Sequence, residues 1–391
     1  MDFEQWWLLA VPFSFALGWL AARVDIRQLL TESRNLPRSY FRGLNFLLAE
    51  QHDRAIDAFI EVVKLDPETI ELHFALGSLF RRRGETERAI RMHQNLLNRA
   101  DLPAEQRGHA LFELGQDFFK AGLLDRAEEA FAQLGDTQYA SEAQRNLLDI
   151  FEREKEWQKA IATARALQEA GAGSHQARIA QFYCELAQNA ITAARHDEAL
   201  EHVEAALAAN RKSVRALIAA GDLAVSQGRD DDALAAWMRI EQQSPAHLAL
   251  VAERLVEAYR RLQRLPEALR LLAALQRSHP SIDLLDVLVR VAEEVEGGEA
   301  AYALVRDELR RNPSLLGLDK FLEAQLRVAA PEQRGDLELV KNLVHAHTRR
   351  IARYTCAQCG FKARQFHWQC PACAHWETFP PLRGEELEAQ R

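Results

Sequence analysis

The sequence predicts an all-α protein built around a long helical repeat, with a different element at each end. Of its 391 residues 48% are hydrophobic, many of them alanine and leucine, with only 18 glycines and 12 prolines. This composition favours helices over strands. An uncharged stretch lies near the N-terminus, and four of the five cysteines lie near the C-terminus. The net charge of -8 argues against a broad phosphate-binding surface.

The N-terminal stretch has the length of a membrane span. Residues 5–22 carry no charged side chain, and a helix of this length would just cross a hydrocarbon core of roughly 30 Å. Trp6, Trp7 and Trp19 lie near its two edges, where indole rings prefer to lie in a bilayer. We therefore expect a transmembrane anchor over residues 1–22, followed by a juxtamembrane linker over residues 23–35.

The flanking charges predict the orientation of this anchor. Asp2 and Glu4 precede the span, whereas several arginines follow it, namely Arg23, Arg27, Arg34 and Arg38. The positive-inside rule then places the rest of the chain in the cytoplasm. A cleaved signal peptide is the alternative, but the basic n-region and the small-residue cleavage site that it requires are absent. The sequence thus predicts a single-pass membrane protein with the bulk of its chain on the cytoplasmic side.

A repeat with a period near 34 residues occupies the middle of the chain. The first copy has the spacing of a tetratricopeptide repeat at Gly43, Phe46, Ala55, Phe59 and Pro67. We expect the glycine to let two helices approach, the aromatic rings to fill the space between them, and the proline to end the second helix. Two further copies show the same frame, at Gly77, Phe80 and Ala89, and at Gly115, Phe118, Ala127 and Phe131.

Later copies of the repeat are looser but keep its alanine. The series continues at Ala160, Ala199, Ala233, Ala268 and Ala301, and three prolines each follow an alanine by 12 residues, namely Pro245, Pro280 and Pro313. We expect about eight repeats over residues 36–313 and a degenerate helical cap over residues 314–350. Such a superhelix offers a long concave surface, so protein binding is its expected function.

No catalytic motif stands out, and we expect the protein not to be an enzyme. Gly171–Ser174 is interpreted as a turn between helices, and Asp230–Asp232 as the start of a helix. His345 and His347 point to different helix faces at a spacing of two, which argues against shared metal binding. We expect ordinary core packing for Trp237, Met238, Tyr259 and Cys184.

Four C-terminal cysteines form two Cys-x-x-Cys pairs, Cys356 with Cys359 and Cys370 with Cys373. Four thiolates in a tetrahedron suit zinc or iron and leave no open position for a substrate, so one structural metal ion is expected. Residues 351–381, which we call the metal knot, are too few to fold without it. Two disulfides are the alternative, which a reducing cytoplasm disfavours. Residues 382–391 are expected to form a flexible tail.

Two other functions compete for the metal knot. Nucleic-acid binding would use basic and aromatic side chains around it, namely Arg349, Arg350, Arg353, Phe361, Lys362, Arg364, Phe366 and Trp368. We favour instead an arrangement in which the aromatic rings pack around the metal and the arginines dock the knot onto acidic helices, so no nucleic acid is expected. Electron transfer is the second competitor, because a four-thiolate iron centre can change redox state.

The metal knot resembles a rubredoxin-type domain shortened between its two cysteine turns. Rubredoxins carry glycine after the second cysteine of each turn; Gly360 fits this pattern and Ala374 departs from it. An N-terminal anchor, tetratricopeptide repeats and this knot, in that order, resemble the lipopolysaccharide assembly protein B (LapB/YciM) family of Gram-negative bacteria over the whole chain.

The resemblance implies an inner-membrane adaptor that works with the protease FtsH. Such an adaptor promotes degradation of the deacetylase LpxC, thereby limiting lipopolysaccharide synthesis, and a membrane protein of the YejM type restrains it. The resemblance also assigns metal binding to the four cysteines. We further expect the knot to fold back onto the repeats through its basic lead-in and Trp376. An assembly scaffold for an envelope complex, without a proteolytic role, is the alternative, and self-association is left open.

Overall fold

The computed structural model describes residues 38–65 and 69–389, with side chains over 41–62 and 69–387. The predicted anchor and linker, residues 1–35, lie outside the described residues. Within the described part, no helix is both long enough and apolar enough to cross a bilayer. The described residues divide into two compact units, one ending at residue 150 and the other beginning at residue 151.

The first unit consists of helices, and from the first to the sixth each packs against the next in sequence. They are α1 (Arg38–Leu48), α2 (His52–Leu65), α3 (Ile70–Arg83), α4 (Thr86–Leu97), α5 (Ala104–Ala121), α6 (Leu124–Ala132) and α7 (Ala140–Arg153), whose last residues belong to the second unit. The longer turns precede α5 and α7.

The second unit continues the helical pattern and ends in the metal knot. Its helices are α8 (Trp157–Glu169), α9 (Gln176–Thr192), α10 (His196–Ala209), α11 (Val214–Ser226), α12 (Asp230–Gln243), α13 (Ala252–Arg261), α14 (Leu265–Ser278), α15 (Ile282–Glu296), α16 (Gly298–Arg311), α17 (Leu315–Val328) and α18 (Pro331–Ile351). A 3-10 turn, Pro245–Leu250, precedes α13. After α18 come β1 (Tyr354–Thr355), β2 (Lys362–Ala363) and α19 (Gly384–Ala389).

The glycine and aromatic positions of the repeat pack as the spacing predicts. A methyl group on Gly43 would lie 2.6 Å from the ring of Phe59, and one on Gly115 would lie 2.8 Å from the ring of Phe131. The glycines therefore allow a ring of the second helix to rest directly on the backbone of the first. Gly221 and Trp237 repeat this contact in the second unit.

The alanine series marks the crossing point of each helix pair. All eight predicted alanines are at most 3% exposed, namely Ala55, Ala89, Ala127, Ala160, Ala199, Ala233, Ala268 and Ala301. Trp237 and Cys184 are buried, and Met238 and Tyr259 pack at the edge of the core, as predicted. Burial raises the pKa of Cys184 to about 11, so its thiol stays neutral. The all-α repeat architecture is therefore confirmed.

We expect Gly221→Ala to destabilise the second unit. The new methyl carbon would lie 2.2 Å from Nε1 of Trp237, and that indole also donates to the Ile218 carbonyl at 3.2 Å. Overpacking of this kind costs roughly 1–3 kcal/mol of unfolding free energy, which urea denaturation would measure. Gly335→Ala is the matched control: no atom lies within 4 Å of its methyl position, so the helix should gain stability.

A buried polar network in the first unit was not predicted. His93 takes the aromatic position of the repeat beneath Gly77 and is fully buried. Its Nδ1 lies 2.5 Å from Oδ2 of Asp117, which is also fully buried. Arg81 donates to the other oxygen of Asp117 at 2.8 Å. The network joins helices α3, α4 and α5 through hydrogen bonds, whereas Gly43 and Gly115 lie against a phenylalanine ring.

Candidate metal centre

The two cysteine turns of the metal knot have matching backbone hydrogen bonds. In the first turn, the Gly360 amide donates to the Cys356 carbonyl at 3.0 Å, and in the second the Ala374 amide donates to the Cys370 carbonyl at 2.8 Å. Strands β1 and β2 pair antiparallel and close the first turn. Both cysteines of each turn are thereby aimed at one point between the turns.

The four sulfur atoms are positioned to hold a metal ion. Sγ of Cys356 lies 3.9 Å from Sγ of Cys373, and Sγ of Cys359 lies 3.7 Å from Sγ of Cys370. All four sulfurs lie within 4.8 Å of one another. A tetrahedron with zinc–sulfur bonds of about 2.3 Å requires sulfur–sulfur distances near 3.8 Å. The donor set therefore fits one tetrahedral ion, whereas a disulfide requires about 2.05 Å, and all four cysteines are free.

The thiols of Cys356 and Cys359 differ in pKa. Desolvation opposes ionisation of Cys356, but hydrogen bonds with the Thr378 hydroxyl and with backbone amides outweigh it and lower its pKa to about 6. A backbone hydrogen bond from Phe361 favours the Cys359 thiolate, but desolvation and the neighbouring sulfurs raise its pKa to about 12. Four sulfurs this close cannot all ionise without a cation between them.

The second turn carries the strain that its sequence indicates. Gly360 has φ of 75° and Ala374 has φ of 58°, so both turns use the left-handed region after the second cysteine. Glycine adopts this region freely, whereas a residue with a Cβ is disfavoured there by about 1 kcal/mol or more. The two turns are thus equivalent in geometry and unequal in sequence.

The core of the knot is very small. Tyr354, Ala363 and Phe379 are buried beside Cys356 and Cys370, with Phe366 packed against them. So few apolar side chains cannot fold a domain of this size alone. Its remaining contacts are made with the helices of the same compact unit.

Trp376 provides the first of these contacts. Its ring meets Trp157 and Phe182 edge-on at centroid distances of 6.3 and 6.2 Å. Its indole N–H donates to Oε1 of Glu152, which also accepts from the Gln369 amide at 3.0 Å. Glu152 is 7% exposed. The expectation that Trp376 docks the knot is confirmed, and its side chain is partly buried.

Trp368 provides a second contact, at the 3-10 turn. Its ring stacks on His247 with a centroid distance of 6.0 Å and an interplanar angle of 8°. Burial lowers the pKa of His247 to about 4, so the imidazole is neutral near pH 7. Phe366 meets the same imidazole edge-on at 6.1 Å. Phe366 and Trp368 therefore both pack against His247.

An ion pair provides a third contact. Arg383 donates to Asp283 at 2.7 Å through Nη2, and the Tyr354 hydroxyl donates to the same carboxylate at 2.6 Å. The guanidinium also lies over the Tyr354 ring, 4.1 Å from its centroid. Arg383 thus docks the knot, and it was not among the arginines expected in this role. Of the expected arginines, Arg349, Arg350 and Arg364 are exposed and Arg353 is partly buried.

The segment expected to be a flexible tail instead forms helix α19 and binds two helix N-termini. Glu385 accepts from the Leu315 and Leu316 amides at 2.5 and 2.9 Å. Glu386 accepts from the Ile282 amide at 2.6 Å. These carboxylates satisfy amides that have no partner within their own helices. The sequence did not predict this contact, because a short acidic segment has the same composition whether it is solvated or binds amides elsewhere in the fold.

The Glu386 contact should weaken as the pH rises. Burial raises the pKa of Glu386 to about 7, against backbone hydrogen bonds that favour its charged form. A carboxyl group whose folded-state pKa is raised stabilises the fold most below its ordinary value of 4.5, and this contribution is lost as the pH rises through about 7. Hydrogen exchange at the Ile282 amide should therefore show protection, corrected for intrinsic exchange, that falls over this range. The variant Glu386→Gln should not show that fall; equal pH profiles would contradict the assignment.

A cavity of about 270 Å³ lies between the metal knot and helices α9, α11 and α13. Its lining combines charged and apolar side chains, among them Arg215, Asp222, Arg254, Ile218, Phe366 and Trp368. Burial raises the pKa of Asp222, although Arg254 opposes this shift. One wall of the cavity belongs to the knot, so its shape depends on the docking contacts described above.

The other residues singled out in the sequence have structural positions. Gly171–Ser174 lies between α8 and α9, and Asp230 begins α12. Nδ1 of His345 lies 2.9 Å from Oδ2 of Asp319. Within the described ranges, the four cysteines are the one group of side chains placed to share a metal ion.

Comparison with known proteins agrees with this architecture. Residues 354–381 match a family model described as a rubredoxin metal binding domain, and residues 42–95, 112–175 and 184–247 match the tetratricopeptide repeat. Lipopolysaccharide assembly protein B of Escherichia coli strain K12 is 35% identical over 379 residues, which cover 96% of this chain and 97% of the relative. Its namesake in Haemophilus influenzae strain Rd is 30% identical, covering 97% and 98%. With this identity maintained over nearly the full length of both chains, the protein belongs to the lipopolysaccharide assembly protein B family.

Proposed function

We propose that the protein is a membrane-anchored adaptor that limits lipopolysaccharide synthesis by presenting the deacetylase LpxC to the protease FtsH. The observation that carries this proposal is the docked metal knot, which closes one side of a cavity on a repeat scaffold. A scaffold of this kind binds other proteins. Family membership supports the process, because the relatives are named for lipopolysaccharide assembly.

We propose that Cys356, Cys359, Cys370 and Cys373 bind one zinc or iron ion with a structural role. The sulfur distances support this assignment. When bound, the ion neutralises the thiolates and holds the two turns together. The chain itself supplies the amide hydrogen bonds that aim the sulfurs and the aromatic contacts that place the knot on its helices.

The anchor proposed for residues 1–22 would place the adaptor beside a membrane protease. Tethering both proteins to one bilayer raises their effective concentration without any new contact, into the millimolar range for short linkers. A cytoplasmic location of the repeats would also keep the four thiols reduced. A membrane protein of the YejM type is the proposed restraint on the adaptor.

Depletion of the protein tests the proteolytic role. The half-life of LpxC should lengthen in depleted cells and return to normal when the wild-type chain is restored. A chain lacking residues 1–22 is the informative comparison, because it should restore the half-life poorly if tethering matters. An unchanged LpxC half-life would favour the second candidate function, an assembly scaffold for an envelope complex, which the printed name of the relatives supports.

An electron-transfer role is the remaining candidate, favoured by the rubredoxin match over residues 354–381. Reductant titration of the purified protein distinguishes it from a structural role. A reversible change in visible absorbance would support electron transfer. We expect a redox-silent site, because the ion is assigned to holding the knot against the repeats.

A further inference from the structure

Helix α18 (Pro331–Ile351) presents two different faces. It packs against α17 through one face, on which Thr348 is buried and Leu337 and Val344 are partly buried. A second sector of the helix surface carries three exposed aliphatic side chains: Leu339 is 63%, Val340 47% and Leu343 64% exposed. At 100° per residue these three side chains lie within one sector of the helix surface. A helix face that remains in water gains no stability from a cluster of aliphatic side chains.

Charged side chains flank this patch in the same sector, with acidic residues at one end of the helix and basic residues at the other. Glu332 and Asp336 lie toward the N-terminus of α18, and His347 and Arg350 lie toward its C-terminus, all four exposed. One helix face thus runs from acidic through apolar to basic, with Leu339, Val340 and Leu343 at its centre. We call these seven residues the outer face of α18.

We propose that the outer face of α18 pairs antiparallel with the outer face of α18 in a second copy of this chain. A two-fold axis near Val340 and Leu343 would bring the apolar centres together. The acidic end of each helix would then lie against the basic end of the other. A two-fold interface must be self-complementary, and this order of charges is self-complementary in the antiparallel arrangement alone, since a parallel pair would oppose like charges.

The size of this face predicts the strength of the pairing. Two helices meeting over about three turns bury less than roughly 1,200 Å², the lower end of specific interfaces. The dimer is therefore expected to be weak and concentration dependent. Exposed leucines at its centre, surrounded by charges, are the side chains expected to dominate the affinity.

Charge reversal tests the antiparallel order. One variant, E332K with D336K, has positive charge at both ends of the face; the other, H347E with R350E, has negative charge at both ends. Each variant alone should self-associate at least about tenfold more weakly than wild type. Differently tagged copies of the two variants, mixed as full-length protein in detergent, should copurify at least as well as wild-type copies. Failure of the mixture to recover pairing would overturn the antiparallel arrangement.

Leu343→Asp tests the apolar centre. Sedimentation equilibrium of the full chain should show at least about a tenfold loss of dimerisation. Leu123→Asp, at a leucine that is 43% exposed in the other compact unit, should leave the dimer unchanged, and circular dichroism should confirm that both variants remain folded. A strictly monomeric wild type, or a dimer that tolerates Leu343→Asp, would overturn the proposal. If Leu343→Asp still dimerised but no longer captured a different protein, the proposal would also be overturned, and the face would be assigned to that protein.

Discussion

Replacing Cys356 and Cys359 together by serine is expected to unfold the metal knot and leave the repeat helices folded. The change removes half of the sulfur cluster, and a structural ion contributes on the order of 10 kcal/mol to the folding of comparable zinc peptides. The small core around Tyr354 and Phe379 cannot replace that contribution. The repeats keep their own core of interlocking helices. Far-UV circular dichroism should therefore change little, while metal content falls to background.

Partner capture should be lost in the same variant. The wall that Phe366 and Trp368 contribute to the cavity would be absent once the knot unfolds. Cys184→Ala controls for loss of a thiol outside the sulfur cluster and should retain the metal. Glu201→Ala, at an exposed carboxylate of α10 in the same compact unit, should retain both metal and partners. If the double serine variant captured partners as well as wild type does, the knot would not be part of the binding surface.

Replacing Glu152 by alanine is expected to undock the knot without releasing its metal. The Glu152 carboxylate accepts hydrogen bonds from the Trp376 indole, the Gln369 amide and the Arg178 guanidinium. Breaking a buried charged contact from one side commonly costs 3–5 kcal/mol. Because other contacts also hold the knot, we expect opening to rise by about a hundredfold, which corresponds to roughly 2.7 kcal/mol. Hydrogen exchange over residues 368–377 would report this opening.

Glu201→Ala is the control for this experiment. Glu201 is an exposed carboxylate of α10 in the same compact unit, so its removal should change neither exchange nor metal content. Loss of metal in Glu152→Ala would show that docking and metal binding are one cooperative unit. Unchanged exchange over residues 368–377 would mean that the carboxylate does not hold the knot.

The repeats were predictable because similar packing contacts recur from copy to copy. An alanine at the helix crossing recurs in all eight copies, and a glycine beneath a ring recurs in four of them, at Gly43, Gly77, Gly115 and Gly221. These constraints act between helices that are neighbours in sequence. His93 lies 34 residues after Phe59, so the repeat spacing also places an aromatic side chain at this position. Its partner Asp117 was not, because no local pattern indicates which carboxylate a buried imidazole will meet.

The sulfur cluster was predictable from spacing, whereas the docking of the knot was predictable only in outline. Trp376 and Glu152 are separated by 224 positions, and Arg383 reaches Asp283 across 100. Such contacts depend on the path of the whole superhelix, to which a single charged residue contributes almost nothing. Arg383, Glu385 and Glu386 therefore resembled an ordinary polar terminus. The 3-10 turn that carries His247 escaped prediction for the same reason.

Affinity capture of the full-length protein from membranes, with elemental analysis of the same sample, tests the central claim most directly. The account predicts one zinc or iron ion per chain and recovery of FtsH and LpxC with the wild-type protein. The double serine variant should remain in the membrane fraction but recover neither metal nor client. Recovery of both partners by a metal-free chain, or a wild-type chain whose four C-terminal cysteines are joined in disulfides, would contradict the account.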